Sequence, residues 1–143
     1  MKQLKLSNQL CFPVYALSRL VTSHYQPFLG ELDLTYPQYL VMLLLWEHRT
    51  MTVKALGQAL MLDSGTLTPL LKRLEAKKLI KRTRSTEDER VVNIQLTTAG
   101  TALKEQAAGI PQQMQQSLGL SQEEVRGLKN LIEPILHRHD KED

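Results

Sequence analysis

One cysteine, Cys11, and four tyrosines, Tyr15, Tyr25, Tyr36 and Tyr39, are the residues of this 143-residue chain whose types could do redox or proton-donor chemistry. A lone cysteine excludes a disulfide within the chain and any multi-cysteine zinc site, leaving a buried structural thiol or a reactive one. A reactive thiol acts as its thiolate, and no lysine, arginine or histidine lies within four residues of Cys11 to stabilise that charge. A nearby helix N-terminus and phenolic hydroxyls are the remaining sources of stabilisation. Tyr15 is one helical turn from Cys11 and is its candidate neighbour. Tyr25 is fourteen residues away; at about 1.5 Å per residue that is roughly 21 Å, so direct contact within one continuous helix is impossible. Of the four histidines, only His137-x-His139 has a spacing worth weighing for metal, and it falls in the tail. No metal or cofactor is expected.

A second chemistry-bearing feature is basic. Lys72, Arg73, Lys77, Lys78, Lys81, Arg82 and Arg84 lie within thirteen positions against one acid, Glu75, in a chain whose net charge is only +3. Such a concentration reads as a phosphate-binding stripe when a nucleic-acid-binding motif carries it, and as a solvated helical face otherwise.

The elements that must position these residues follow from periodicity and capping. Apolar residues at three-or-four spacing from Ser7 to about Gly30 predict an amphipathic helix, with Pro13 near its start and a small irregularity beside Cys11. Thr35 caps a second helix, with Gln38 reaching back; the run from Leu40 to Trp46 makes it the centre of the core, buried on nearly all sides. A short third helix over residues 52–62 and a fourth from Asp63 or Ser64 to about Lys78 form a tandem helix-turn-helix. Residues 79–84 and 91–96 read as the strands of a hairpin, or wing. Thr97 caps a fifth helix that bends or breaks at Gly109-Ile110-Pro111. Ser121, with Glu124, opens a final helix whose stripe is Val125, Leu128, Ile132 and Ile135. The fold class is thus mainly α with a small β-hairpin wing: one domain, with a winged helix-turn-helix lobe over about 36–97. Flanking helices over about 7–34 and 98–139 are too apolar to stand alone. A symmetric homodimer made by these outer helices would bury their stripes and set two reading helices side by side.

With Leu67, Leu70, Leu71 and Leu74 facing inward, the start of the fourth helix presents Ser64, Gly65, Thr66, Thr68, Pro69 and Lys72 to a major groove. Arg73, Arg82 and Arg84 are candidate phosphate contacts, and at the wing tip Arg90 is the candidate for minor-groove insertion, oriented by Asp88. The longest apolar run is far shorter than the roughly 20 residues of a membrane span, and no secretory leader is recognisable, so a reducing cytoplasm is expected.

These residues resemble the MarR family of winged-helix repressors through Asp88-x-Arg90 followed by Leu96-Thr97-x-x-Gly100. The stretches Asn8-Gln9-Leu10-Cys11-Phe12, Thr35-Tyr36-Pro37-Gln38-Tyr39 and residues 62–75 resemble, more narrowly, the OhrR-type sensors of organic hydroperoxides. The resemblance runs from about Ser7 to the last helix and weakens after Gly100. It implies a dimer on a palindromic operator in double-stranded DNA, repressing a peroxidase gene until the N-terminal cysteine is oxidised. The absence of a second cysteine resembles the single-cysteine branch. The family also places tyrosines matching Tyr25 and Tyr36 on the thiol, and the 21 Å separation then requires that Tyr25, at least, come from the other subunit. Sulfenic acid would form first, and a low-molecular-weight thiol or a backbone nitrogen would complete the reaction. Three other functions compete: a MarR-type repressor released by a phenolic ligand, with Cys11 a bystander; a helical interaction protein without DNA binding, which a steep fall of duplex affinity with salt would exclude; and a thiol peroxidase. The last lacks the strand-helix alternation and Cys-x-x-Cys pair of a thioredoxin-like enzyme, so no enzymatic activity is expected.

Overall fold

In a computed structural model, which describes residues 1–140, two short 3₁₀ turns, Lys2–Leu4 and Leu6–Asn8, lead into helix α1 (Cys11–Gly30). The helix begins at Cys11 itself rather than at Ser7, because Asn8 and Gln9 spend their side-chain amides on the carbonyls of Lys2, Gln3 and Lys5 and hold the preceding residues in turns. Pro13 therefore falls in the first helical turn, where its missing N–H costs no hydrogen bond. The expected irregularity is the junction between those turns and the helix.

Helix α2 (Tyr36–His48) starts at the reciprocal cap anticipated from sequence: Gln38 N–H donates to Thr35 Oγ1 at 3.4 Å and Thr35 N–H donates to Gln38 Oε1 at 3.0 Å. Its Tyr39, Val41, Met42, Leu45 and Trp46 are buried. Leu43 is exposed, so the helix is covered on most sides but not all. Strand β1 (Thr50–Thr52) follows, which the sequence pattern did not announce, and Thr52 then caps α3 (Val53–Leu60) by accepting from Ala55 N–H at 3.0 Å. The turn from α3 to α4 (Ser64–Ala76) is tight: a Cβ on Gly57 would stand 2.9 Å from the carbonyl oxygen of Leu62.

The wing strands are β2 (Ile80–Arg84) and β3 (Val92–Leu96), paired antiparallel with Ile80 opposite Leu96 and Arg84 opposite Val92. β1 adds to the other edge of β3, giving the order β1-β3-β2. Ile80 and Ile94 point into the same core as Leu56, Leu67, Leu71 and Leu74, which fixes the sheet against α2, α3 and α4.

Thr97 explains the Leu-Thr-x-x-Gly pattern. Its hydroxyl accepts from Gly100 N–H at 3.0 Å, starting α5 (Thr98–Ala107), and donates to the carbonyl of Lys78 at 2.7 Å, tying the wing base to α5. The chain breaks at Gly109 as expected, and the pieces are α6 (Ile110–Leu118) and α7 (Gln122–Arg138), the latter opened by a reciprocal Ser121–Glu124 cap. α1 packs along α6 and α2, and His24 Nδ1 lies 2.7 Å from Ser117 Oγ across α1 and α6. No described residue of α7 is buried, and α1 buries only Leu29. Pro134 lies inside α7 without ending it.

Candidate redox centre and groove

Cys11 is the first residue of α1 and is exposed. There the unpaired amides of the first turn and the helix dipole favour negative charge. Tyr15, one turn on, is also exposed, and the Arg19 guanidinium sits 5.6 Å from its ring centroid. Tyr15 is thus occupied on one face by a cation and remains near Cys11 only by helical spacing.

The other three tyrosines form a group of their own. Tyr25, near the far end of α1, packs its ring against that of Tyr36, the first residue of α2, at 4.8 Å between centroids and a tilt of 46°; Tyr39 lies 5.5 Å from Tyr25 and 6.5 Å from Tyr36. Tyr39 continues into the core through an edge contact with Trp46 at 6.4 Å. Trp46 itself is core, its indole N–H donating to the Gly100 carbonyl at 2.9 Å. Burial raises the phenols of Tyr25 and Tyr36 above their ordinary range, with Tyr36 adding repulsion at Tyr25; Tyr39, the most buried, is pushed up to about 12. All three therefore keep their protons at physiological pH and remain O–H donors. The fold thus brings Tyr25 and Tyr36 together. One unbroken helix, however, keeps the Tyr25 end of α1 and Cys11 of the same chain roughly 21 Å apart.

Elsewhere on the lobe, α3, α4 and the wing line an open groove of about 1230 Å³. Asp63 caps α4, its carboxylate accepting from Thr66 N–H at 2.7 Å, and that hydrogen bond favours the ionised form and holds its pKa below the usual carboxylate range. Ser64 and Thr68 line the groove; Gly65, Thr66, Pro69, Lys72 and Arg73 are exposed on α4. Lys54 and Gln58 of α3 also line it, a contribution sequence reasoning missed although their place on the solvated face of a short amphipathic helix was readable. So do His139 and Asp140, just past α7, where only a tail was expected.

At the wing tip the Asp88 carboxylate receives Arg90 in a fork, Nε at 3.1 Å and a terminal nitrogen at 3.1 Å, plus the Arg90 backbone N–H at 3.0 Å. Arg90 nevertheless leaves 90% of its side chain exposed, and it holds the Asp88 carboxyl below its usual range. Arg84 donates to the Glu89 carbonyl at 2.9 Å and stiffens the wing loop. Two members of the basic stretch do not present free charge. Arg82 pairs with Glu75 at 3.3 Å, joining α4 to the wing, and Lys77 turns its ammonium inward to Gln38 Oε1 at 2.9 Å and to the Asp33 carbonyl.

The family model described as "Transcriptional regulator SarA/Rot" matches residues 23–107. The chain is 57% identical over 128 residues, 90% of its length and 85% of the relative's, to the organic hydroperoxide resistance transcriptional regulator of Bacillus subtilis. Among solved structures it is similar to reduced AbfR bound to DNA, a Staphylococcus epidermidis protein, at 36% identity and a TM-score of 0.78, covering 99% of this chain and 100% of that one. Disulfide-formed AbfR is 35% identical but superposes less well, with a TM-score of 0.63 over 94% and 95% of the two chains. Among the described residues no helix is long and apolar enough to cross a membrane, and no group of side chains is arranged to hold a metal ion.

Proposed function

Because this chain belongs to the MarR-type winged-helix transcriptional regulators, in the branch of the organic hydroperoxide (OhrR-type) regulators, we propose that it is a dimeric, cytoplasmic DNA-binding repressor released when Cys11 is oxidised by an organic hydroperoxide. One observation carries the reading: its only thiol stands exposed at a helix start, while the phenol pair that could serve it sits together at the other end of that helix. A second subunit resolves the mismatch. With two copies antiparallel along α1, Cys11 of each faces Tyr25 and Tyr36 of the other, and two phenolic O–H groups donate to the thiolate.

The thiolate attacks the peroxide's terminal oxygen; the O–O bond breaks, the alcohol leaves with a proton, and Cys11 becomes a sulfenic acid. No second thiol exists in the chain to trap it. A low-molecular-weight thiol condensing with the sulfenic acid, with loss of water, would add bulk at the subunit interface and force the two lobes apart. On the DNA side, Ser64, Gly65, Thr66, Thr68 and Pro69 enter the major groove and Lys72, Arg73 and Arg84 meet phosphates. Arg90, aimed by Asp88, enters the minor groove; Arg82 contributes by bracing the wing.

The test is binding of reduced protein to DNA of its own promoter region, before and after one equivalent of an organic hydroperoxide, with Cys11→Ser alongside. Wild type should be released and Cys11→Ser should stay bound. Release of both, or of neither, would refute thiol sensing at Cys11.

A further inference from the structure

Gln38 is the one buried polar side chain among the described residues, 2% exposed, and its partners lie on two different elements. Its Oε1 accepts from Thr35 N–H at 3.0 Å and from Lys77 Nζ at 2.9 Å. The same ammonium donates to the carbonyl of Asp33 and stands 3.8 Å from the Asp33 carboxylate. Lys77 is the C-terminal cap of α4, its own N–H bonded to the Arg73 carbonyl. One cation therefore bridges the turn between α1 and α2 to the end of the helix proposed to read DNA. It also lies where the negative end of the α4 dipole favours positive charge.

The placement of Gln38 gives that bridge a second meaning. It is the third residue of α2, between Tyr36 and Tyr39 in the same first turn, and both of those rings pack against Tyr25 in tilted contacts. A helical turn this tightly capped moves as a unit, so a displacement of the Tyr36 ring carries Gln38 Oε1 with it. Lys77 is held at both ends of the turn and so links it to the α4 C-terminus. Glu75, two residues back in the last turn of α4, binds both the backbone N–H and the side chain of Arg82 at 3.3 Å, which ties the wing to the same helix end.

We infer that the Lys77–Gln38 contact is the strut that transmits the oxidation state of Cys11 from the tyrosine group to the reading helix and wing. This rests on the reading of the chain as a Cys11-operated repressor and adds the route. Lys77 and Gln38 are positioning residues; neither touches the thiol or DNA. Gln38 and Lys77 make the specific polar contact between the first turn of α2 and the end of α4, two helices that otherwise meet through their shared apolar core, so a shift at one end of that contact is felt at the other.

The experiment measures, for wild type, Lys77→Met, Gln38→Met, their double variant and Lys77→Arg, the ratio of operator Kd in the peroxide-treated and reduced states, together with the rate of sulfenic acid formation at Cys11. Lys77→Met leaves the Thr35–Gln38 cap intact and is the variant least exposed to a folding defect. The expected result is oxidation at the wild-type rate in every variant but a release ratio at least tenfold smaller in Lys77→Met and Gln38→Met. The double variant should be no worse than either single one, and Lys77→Arg should recover most of the ratio. A contact that merely stabilised the lobe would weaken DNA binding equally in both states and leave the ratio unchanged; that outcome overturns the strut. If wild type itself is not released by peroxide, the Cys11 reading falls first and the strut with it.

Discussion

In the proposed redox centre Tyr25 and Tyr36 serve a thiolate as protonated donors; a phenol holds its proton at neutral pH in any case, and burial widens that margin by raising both above their ordinary range. Replacing either by phenylalanine removes a hydroxyl while retaining the packed ring. The expected consequence is slower oxidation of Cys11, by about tenfold for each lost charge-assisted hydrogen bond at roughly 1.5 kcal/mol, with reduced-state DNA affinity unchanged. Stopped-flow measurement of sulfenic acid formation checks it, and an unchanged rate in both variants would remove the tyrosines from the redox centre. Tyr39 makes a different prediction. Its phenol ionises near 10.0 when unfolded and about 12 when folded. Below pH 10 both states hold the proton and the full contribution is present; between the two values only the unfolded chain loses it, so stability falls as pH rises. The loss is about 3 kcal/mol at most. Denaturant titrations from pH 9 to 12 should show a shallower fall for Tyr39→Phe than for wild type.

The elements hold these residues through local devices, and Gly100 is the most constrained of them. A Cβ there would stand 2.1 Å from the Leu79 carbonyl oxygen and 3.1 Å from a Leu96 methyl, and the Gly100 carbonyl receives the Trp46 indole. Backbone, not a flexible side chain, blocks it. Gly100→Ala should therefore destabilise the fold by about 2–3 kcal/mol as the wing base is pushed off α5, lowering the thermal midpoint by roughly 10 °C; a calorimetric midpoint within two or three degrees of wild type would contradict this close approach. Much at this scale was legible beforehand. Thr35 with Gln38, Thr97 with Gly100 and Ser121 with Glu124 announced helix starts because a cap is decided within four residues. β1 was not legible, since Thr50–Thr52 becomes a strand only by pairing with Gln95, Ile94 and Asn93, more than forty residues on. Nor could charge density say where an ammonium goes: Lys77 sits in the densest basic stretch yet faces Gln38 and Asp33, contacts made only once α4 packs on α2.

For the whole molecule the governing fact is apolar surface without a partner. Leu10 is 79% exposed and Leu131 70%, while Phe12, Val14 and Leu20 of α1 and Ile132, Ile135 and Leu136 of α7 are all exposed. A 17-residue helix such as α7, with no buried residue, is marginal alone in water. Each of these side chains gains about 1.5–3 kcal/mol when covered, counted twice across a symmetric interface. Placing two charges in that surface, Leu131→Glu with Ile135→Glu, should convert the protein from dimer to monomer at micromolar concentration in sedimentation experiments. Operator affinity should fall by about 10²–10⁴-fold, because the second half-site is no longer bound as an intramolecular event. The same variant should also slow Cys11 oxidation if, as proposed, the phenols that serve the thiol belong to the other subunit. A variant that stayed dimeric with full affinity would put the interface elsewhere. One that became monomeric but reacted with peroxide at the wild-type rate would show that Cys11 needs no partner's tyrosines, and would separate the redox centre from the dimer.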